Sequence, residues 1–230
     1  MLTETSTEAL VRTLEPEVMD SEEDASEYDA MDFSEPNNRF AMDALGLVRS
    51  ARPLALDIGT GTADIPLRML AAHASLRVVA VDMAESMLRV AARHAAARGL
   101  SERLELQKLD AKASALGDAR FDLVMSNSVA HHIPRPIDLF REIARVVRPG
   151  GAIIVRDLAR PASRRAARDI VERVSPNDSP KQKQLFFDSL CAALTVAEVR
   201  ALVREVGLGD LRVEMVSDRH WTAERGEALD

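Results

Sequence analysis

The chain has 230 residues, enough for one α/β domain with some elaboration. Hydrophobic residues make up 47% and aromatics only 3%, so Leu, Val, Ile and Ala must build the core, which favours helices on a parallel sheet over an all-β sandwich. The net charge of −7 gives no general attraction to nucleic acid or an anionic membrane, and the single cysteine, Cys191, excludes an internal disulfide and a cysteine-based zinc site.

Residues 1–37 read as an acidic leader without an apolar signal core. From Glu15 to Glu35 there are ten acidic residues and no basic one, and residues 1–15 read as a solvated stretch. Tyr28 to Phe40 is different: it holds the only Tyr and two of the six Phe. Apolar rings in a polar leader predict a segment that docks as a lid, with Tyr28 over cofactor or acceptor and Phe40 a candidate substrate wall whose plainer reading is core. Asn38 is placed to cap a helix over 39–49, and Pro53 then breaks the chain.

From there apolar runs alternate with helical patterns. Leu54–Ile58 predicts a buried strand ending in the turn Gly59-Thr60-Gly61-Thr62. Arg77–Val81 predicts a strand ending at Asp82, followed by a helix over 84–98 closed by Gly99. Leu104–Leu109 ends at Asp110, and Phe121–Ser126 ends at Asn127. A helix over 136–148 leads to the turn Pro149-Gly150-Gly151 and a fifth strand, Ala152–Arg156. An insertion over 159–194 reads as two helices broken at 175–180, with a basic first half. Thr195 and Glu198 form a capping box, and the chain closes with a hairpin over Leu211–Val216 and Arg219–Glu224. The fold class is therefore α/β: a doubly wound, mostly parallel sheet of about seven strands, with a domain over 38–230. Ligands of such sheets lie at the carboxyl ends of the strands, where Asp57, Asp82, Asp110 and Asn127 fall in one layer.

The glycine turn alone suits several nucleotides. A dinucleotide would bring its pyrophosphate against Asp64, which disfavours NAD, and the lysine of a phosphate loop is missing. Asp57 at the strand end suits a cationic ligand. LALDIGTGTAD, residues 54–64, resembles the first motif of class I S-adenosylmethionine-dependent methyltransferases, with Ala63 in place of the third glycine. Residues 79–83, 109–111, 121–127 and 148–151 resemble the following motifs in order. VAHHIPRPIDLFREIARVVRPGG, residues 129–151, resembles the ubiquinone/menaquinone-biosynthesis type.

The resemblance implies S-adenosylmethionine as cofactor and S-adenosylhomocysteine as product. Asp57, Gly59, Thr60 and Gly61 would line the cofactor site. Asp82 would take the ribose hydroxyls beside Met83, Asp110 the adenine amino group beside Ala111, and the main chain at Asn127 the methionine part. The acceptor is expected to be a small molecule, methylated on O or C. Methyl transfer is an in-line displacement that needs a base only if the acceptor must lose a proton; His131 or His132 could supply it, and His220 could face the substrate. The histidines and acids show no metal-ligand spacing. No apolar run approaches the roughly 20 residues of a membrane span, and a cytoplasmic monomer or homodimer is expected. Two other classes stay open. One is a non-catalytic module that binds S-adenosylmethionine. The other is an NAD(P)-dependent oxidoreductase, against which the missing Tyr-x-x-x-Lys pair counts.

Overall fold

The computed structural model describes residues 9–15, 21–110, 112 and 115–228. The five apolar runs form parallel strands β1 (Leu54–Ile58), β2 (Arg77–Asp82), β3 (Leu104–Lys108), β4 (Phe121–Asn127) and β5 (Val147–Leu158). A hairpin of β6 (Arg212–Met215) and β7 (His220–Arg225) completes a seven-stranded sheet in the order β3-β2-β1-β4-β5-β7-β6. β7 runs antiparallel to both its neighbours. The strand order reverses between β1 and β4, which opens a crevice at their carboxyl ends.

Both faces of the sheet are covered, so the strands read as continuous apolar runs. On one face Leu56, Ile58, Val124, Ile153 and Trp221 pack with Leu139, Phe140 and Ile143 of α5 (Pro136–Val146) and Val199 and Val203 of α8 (Val196–Glu205). On the other, Ala55, Val78, Leu123, Met125 and Ile154 pack with α2 (Ser34–Gly46), α3 (Asp64–Ala72) and α4 (Glu85–Ala97). The alternation along each strand sends neighbouring side chains to opposite faces.

The insertion forms α6 (Arg164–Val174) and α7 (Pro180–Ala192), as the break at 175–180 predicts. The guanidinium groups of Arg164 and Arg168 sit 5.2 and 5.5 Å from the Phe187 ring, so part of the basic half is spent on packing. The Thr195–Glu198 capping box forms as read.

Four features depart from the sequence reading. Asn38 caps nothing: α2 begins at Ser34, whose N–H donates to Asp32 Oδ1 at 2.9 Å, and Pro36 suits the first turn. That helix runs through the expected boundary at residue 37. The turn at Pro149-Gly150-Gly151 is absorbed into β5, where Gly150 takes φ +71 and the pairing with β4 shifts register between Phe121 and Leu123. An unexpected helix, α1 (Glu22–Asp29), lies in the acidic run; Ala25 buries itself against Ala84, Met87 and Val90, and Glu22 pairs with Arg89.

The fourth departure is the leader. Residues 9–15 dock on the domain instead of standing in solvent. Leu10 joins Leu158, Val171, Phe187 and Leu190 in an apolar cluster, and the N–H groups of Leu10 and Thr13 donate to Ala162 and Cys191 carbonyls. Residues 1–8 and 16–20 lie outside the described residues. Among the described residues, no helix is long and apolar enough to cross a membrane.

Candidate functional site

The loop after β1 needs its glycines for two separate reasons. Gly59 takes φ +74, and a Cβ there would lie 2.3 Å from Val129 Cγ2. Gly61 takes φ +54 and lies beneath the Tyr28 ring, whose Cε1 is 3.7 Å from where its Cβ would stand. Ala63 is also left-handed, at φ 60, and is fully buried, so the third glycine of the motif is replaced at a position that strains an alanine.

The end of β2 straps this loop in place. The N–H groups of Gly59 and Thr60 donate to the Val81 carbonyl at 2.9 and 3.0 Å. Asp82 accepts from Gly61 N–H at 2.8 Å and from Ala84 N–H at 2.9 Å. Asp57 is 2% exposed; burial pushes its carboxyl up to about 7, the Thr60 hydroxyl works against that, and the neighbouring Asp82 adds to it.

Asp57, Gly59, Thr60 and Asn127 line one cavity of about 30 Å³ together with Tyr28, Asn37, Thr62, Asp64 and Ile65. A second cavity, of about 220 Å³, shares Tyr28, Asn37, Thr62 and Asp64 and extends to Met31, Phe33, Arg68, His94 and Arg98. Tyr28 thus divides the crevice. Its ring lies 5.3 Å from Phe33; the residue is 38% exposed, and the crowding of its phenol in the crevice, then Asp82, Asp64 and Asp57, push the phenol above the ordinary value. Asp64 joins α2 to α3 by accepting from Asn37 Nδ2 at 3.0 Å and from Arg68 Nε at 2.7 Å.

The donor chemistry fits S-adenosylmethionine. A buried Asp57 and a half-buried Asp82 at two adjacent strand ends can face a cationic amine and ribose hydroxyls, whereas a pyrophosphate would be repelled by Asp57, Asp64 and Asp82.

Other expected site residues fall elsewhere. Met83 follows Asp82, half-buried. Asp110 lies beyond β3 and closes a local turn by accepting from Lys112 N–H at 2.8 Å; it is not among the lining residues of either cavity. Ala111 lies outside the described residues. Phe40 is corrected to core: it is 1% exposed, packed among Leu67, Leu123 and Ile154 with Arg156 over its ring, because α2 turns it onto the sheet. His220 opens β7 with its Nδ1 2.9 Å from Ser217 Oγ, and burial pulls its pKa down to about 4.

His131 and His132 are not among the lining residues of the two cavities. They meet the leader instead. His131 is 4% exposed, its Nδ1 is 2.5 Å from Asp157 Oδ1, and its N–H donates to Asp157 Oδ2 at 2.9 Å. Burial works against charge on both groups, yet their contact holds the imidazole above and the carboxyl below their usual values. Glu15 Oε1 lies 3.4 Å from His131 Nε2 and 3.1 Å from His132 Nδ1. Arg12 pins the same loop, donating to the carbonyls of His131 at 3.0 Å, Ile133 at 2.9 Å and Ala192 at 2.6 Å. Sequence reasoning missed Arg12, Glu15 and Asn37 as contributors. The only available signal was their place in a leader that carried apolar side chains.

Comparison with known proteins gives this geometry a family. Residues 56–155 match the methyltransferase domain family. The chain is 30% identical over 182 residues to the 27-O-demethylrifamycin SV methyltransferase of Amycolatopsis mediterranei, covering 76% of this chain and 62% of that protein. It is 33% identical over 139 residues to a ubiquinone/menaquinone biosynthesis C-methyltransferase of Dinoroseobacter shibae, covering 59% of this chain and 56% of that protein. The chain thus spans about six-tenths of the length of these relatives. A crystal structure of a putative S-adenosyl-L-methionine-dependent methyltransferase from Methanococcus maripaludis superposes with a TM-score of 0.69 at 17% identity, over 95% of this chain and 99% of that one, and shares the fold. Residues 56–155 thus match a methyltransferase domain, and the chain is similar over more than half of its length to known methyltransferases.

Proposed function

We propose that the chain moves the methyl group of S-adenosylmethionine to an oxygen or carbon of a small-molecule acceptor, by in-line displacement, releasing S-adenosylhomocysteine. The observation that carries this reading is the pair of acids at adjacent strand ends, Asp57 and Asp82, flanking the glycine loop beneath Tyr28. Asp57 would face the cationic amine and Asp82 the ribose hydroxyls. The main chain at Asn127 would meet the methionine part, with Met83, Asp110 and Ala111 around the adenine. When bound, the cofactor supplies the activated methyl group; the protein positions it, excludes water and sets the electrostatics.

Several features favour a small acceptor. The segment from α1 to Phe33 closes over the crevice, and the net charge of −7 does not draw nucleic acid. The two named relatives are an O-methyltransferase of a rifamycin and a C-methyltransferase of quinone biosynthesis. In this reading residues up to Phe33 act as the lid, α2 joins the domain, and 159–194 form an insertion that the leader crosses. The transfer step itself is assigned no base.

The test is thermal stability with S-adenosylmethionine, S-adenosylhomocysteine and NADH, beside Asp82→Ala. A ligand at about 100 times its dissociation constant adds roughly 2.7 kcal/mol. A rise with the first two ligands, lost in the variant, supports the reading and leads to an acceptor screen with labelled methyl groups. A rise with NADH alone, or with none of the three, overturns it.

A further inference from the structure

Outside the crevice, three donor atoms converge where the leader crosses the loop after β4. Glu15 Oε1, His131 Nε2 and His132 Nδ1 all lie within 4.8 Å of one another. The carboxylate oxygen stands 3.4 Å from the first nitrogen and 3.1 Å from the second. A tetrahedral ion with bonds of about 2.0–2.2 Å sets its ligand atoms roughly 3.3–3.6 Å apart. The 3.4 Å edge has the length that a shared central ion requires and exceeds an ordinary N–H···O hydrogen bond, and the 3.1 Å edge is about 0.2 Å shorter than that range, within hydrogen-bond reach.

The surroundings are those of a ligand set. His131 is oriented by Asp157, whose Oδ1 lies 2.5 Å from Nδ1, leaving Nε2 directed at Glu15; Asp157 is itself held by the N–H groups of His131 and Leu158. A carboxylate behind the far nitrogen is the usual outer partner of a metal-bound imidazole. Ser189 Oγ donates to both oxygens of Glu15 at 3.1 Å and fixes that carboxylate. The Glu15 side chain is 9% exposed and that of His131 is 4% exposed. Glu15 Oε1 thus faces one nitrogen of each imidazole where two distant chain segments cross.

We propose that Glu15, His131 and His132 form a binding site for a divalent transition-metal ion of the zinc class. Two imidazoles and one carboxylate suit such an ion better than magnesium or calcium, which take oxygen ligands. Three protein ligands leave a position open to water or to an oxygen of a bound molecule, the pattern of reactive zinc sites. The ligands come from two distant segments, so the ion also clamps residues 9–15 to the loop that Arg12 already holds. None of the three residues lines either crevice cavity, and metal uptake is tested without reference to methyl transfer.

The experiment uses the full chain, with any purification tag removed, stripped with EDTA and titrated with Co²⁺ and then Zn²⁺. The result expected is one equivalent of Co²⁺ with the intense visible absorption of a four-coordinate site, a higher melting temperature, and displacement by Zn²⁺. Glu15→Gln and His132→Ala, each checked for folding by circular dichroism, are expected to bind more weakly by at least the roughly 10- to 100-fold that loss of an outer partner costs. No stoichiometric uptake by the parent protein overturns the proposal and leaves the cluster as a protonated ion pair. Equal uptake by parent and folded variants overturns it as well, because the ion is then held elsewhere. If one variant fails to fold, the other and the parent spectrum decide.

Discussion

Asp82 Oδ2 accepts the backbone N–H of Gly61 at 2.8 Å, joining the end of β2 to the glycine loop after β1. Its other oxygen accepts from Ala84 N–H at 2.9 Å and closes the turn into α4. The same carboxylate is proposed to receive the ribose hydroxyls, so it shapes the loop before any ligand arrives. Asp82→Asn keeps one acceptor oxygen and is expected to cost about 1 kcal/mol of stability; Asp82→Ala leaves both donors without it and costs about 1–3 kcal/mol. Both should weaken S-adenosylmethionine binding at least tenfold. Denaturant unfolding and calorimetric titration separate the two effects.

Two buried groups should tilt stability with pH in opposite directions. Asp57 has its folded pKa raised to about 7, above its unfolded value, so the fold holds an extra proton between about pH 4 and 7 and loses stability as pH rises through that window. His220 has its folded pKa lowered to about 4, so the unfolded chain holds the extra proton between about pH 4 and 6.5 and stability rises with pH there. Relative to the parent, Asp57→Asn should give a ΔG profile that climbs more steeply over this window, and His220→Asn one that falls more. Unfolding by urea at a series of pH values reads both.

A cationic cofactor group beside Asp57 favours its ionised form. Binding of S-adenosylmethionine slightly below neutral pH should therefore release a proton from this carboxyl, an effect absent in Asp57→Asn. Calorimetry in two buffers of different ionisation enthalpy measures the release directly.

Tyr28 divides the crevice, while α1 is anchored separately by Ala25 against Ala84, Met87 and Val90. Tyr28→Ala should change stability by about 1–2 kcal/mol, since the ring is not core, but should speed cofactor release. Ala25→Lys places a charge in a buried seat and should free the whole helix, with the same kinetic effect and new protease cleavage near Tyr28. Stopped-flow release of S-adenosylhomocysteine and limited proteolysis report the two.

Gly59→Ala meets two obstacles, the positive φ and Val129. A contact of 2.3 Å from a new Cβ to Val129 Cγ2 forces movement, and φ +74 strains any alanine. The cost should be about 2–4 kcal/mol. Adding Val129→Ala should recover the steric part and leave the conformational part of about 1–2 kcal/mol, as a double-mutant cycle would show.

Much of the sheet was legible because its signals are local. β1, β2 and β4 are short, mostly apolar runs; β2 and β4 end at Asp82 and Asn127, and β1 ends at Ile58 with Asp57 one residue inside. The capping box at Thr195 and the stop at Gly99 likewise involve neighbours a few residues apart. The start of α2 was missed because Asn37 and Asn38 both look like caps, and only contact with Asp64 shows that Asn37 serves another helix. Phe40 was placed near the ligand because its aromatic character could not tell core from lid; the rotation of α2 decides that.

The sequence by itself determined the alternation of strands and helices, the glycine loop and the acids at the strand ends. These follow from periodicity of two and 3.6 residues and from turn chemistry, which act over a few bonds. The tertiary structure alone decided where the leader lies. Arg12 meets the His131 carbonyl across 119 positions of chain, and Glu15 comes to two imidazoles whose spacing to it carries no pattern. Such contacts form only when the domain's loops already stand in place. Their energy comes from burying Leu10 and from the carbonyls that Arg12 satisfies, and neither can be read from the leader's own composition.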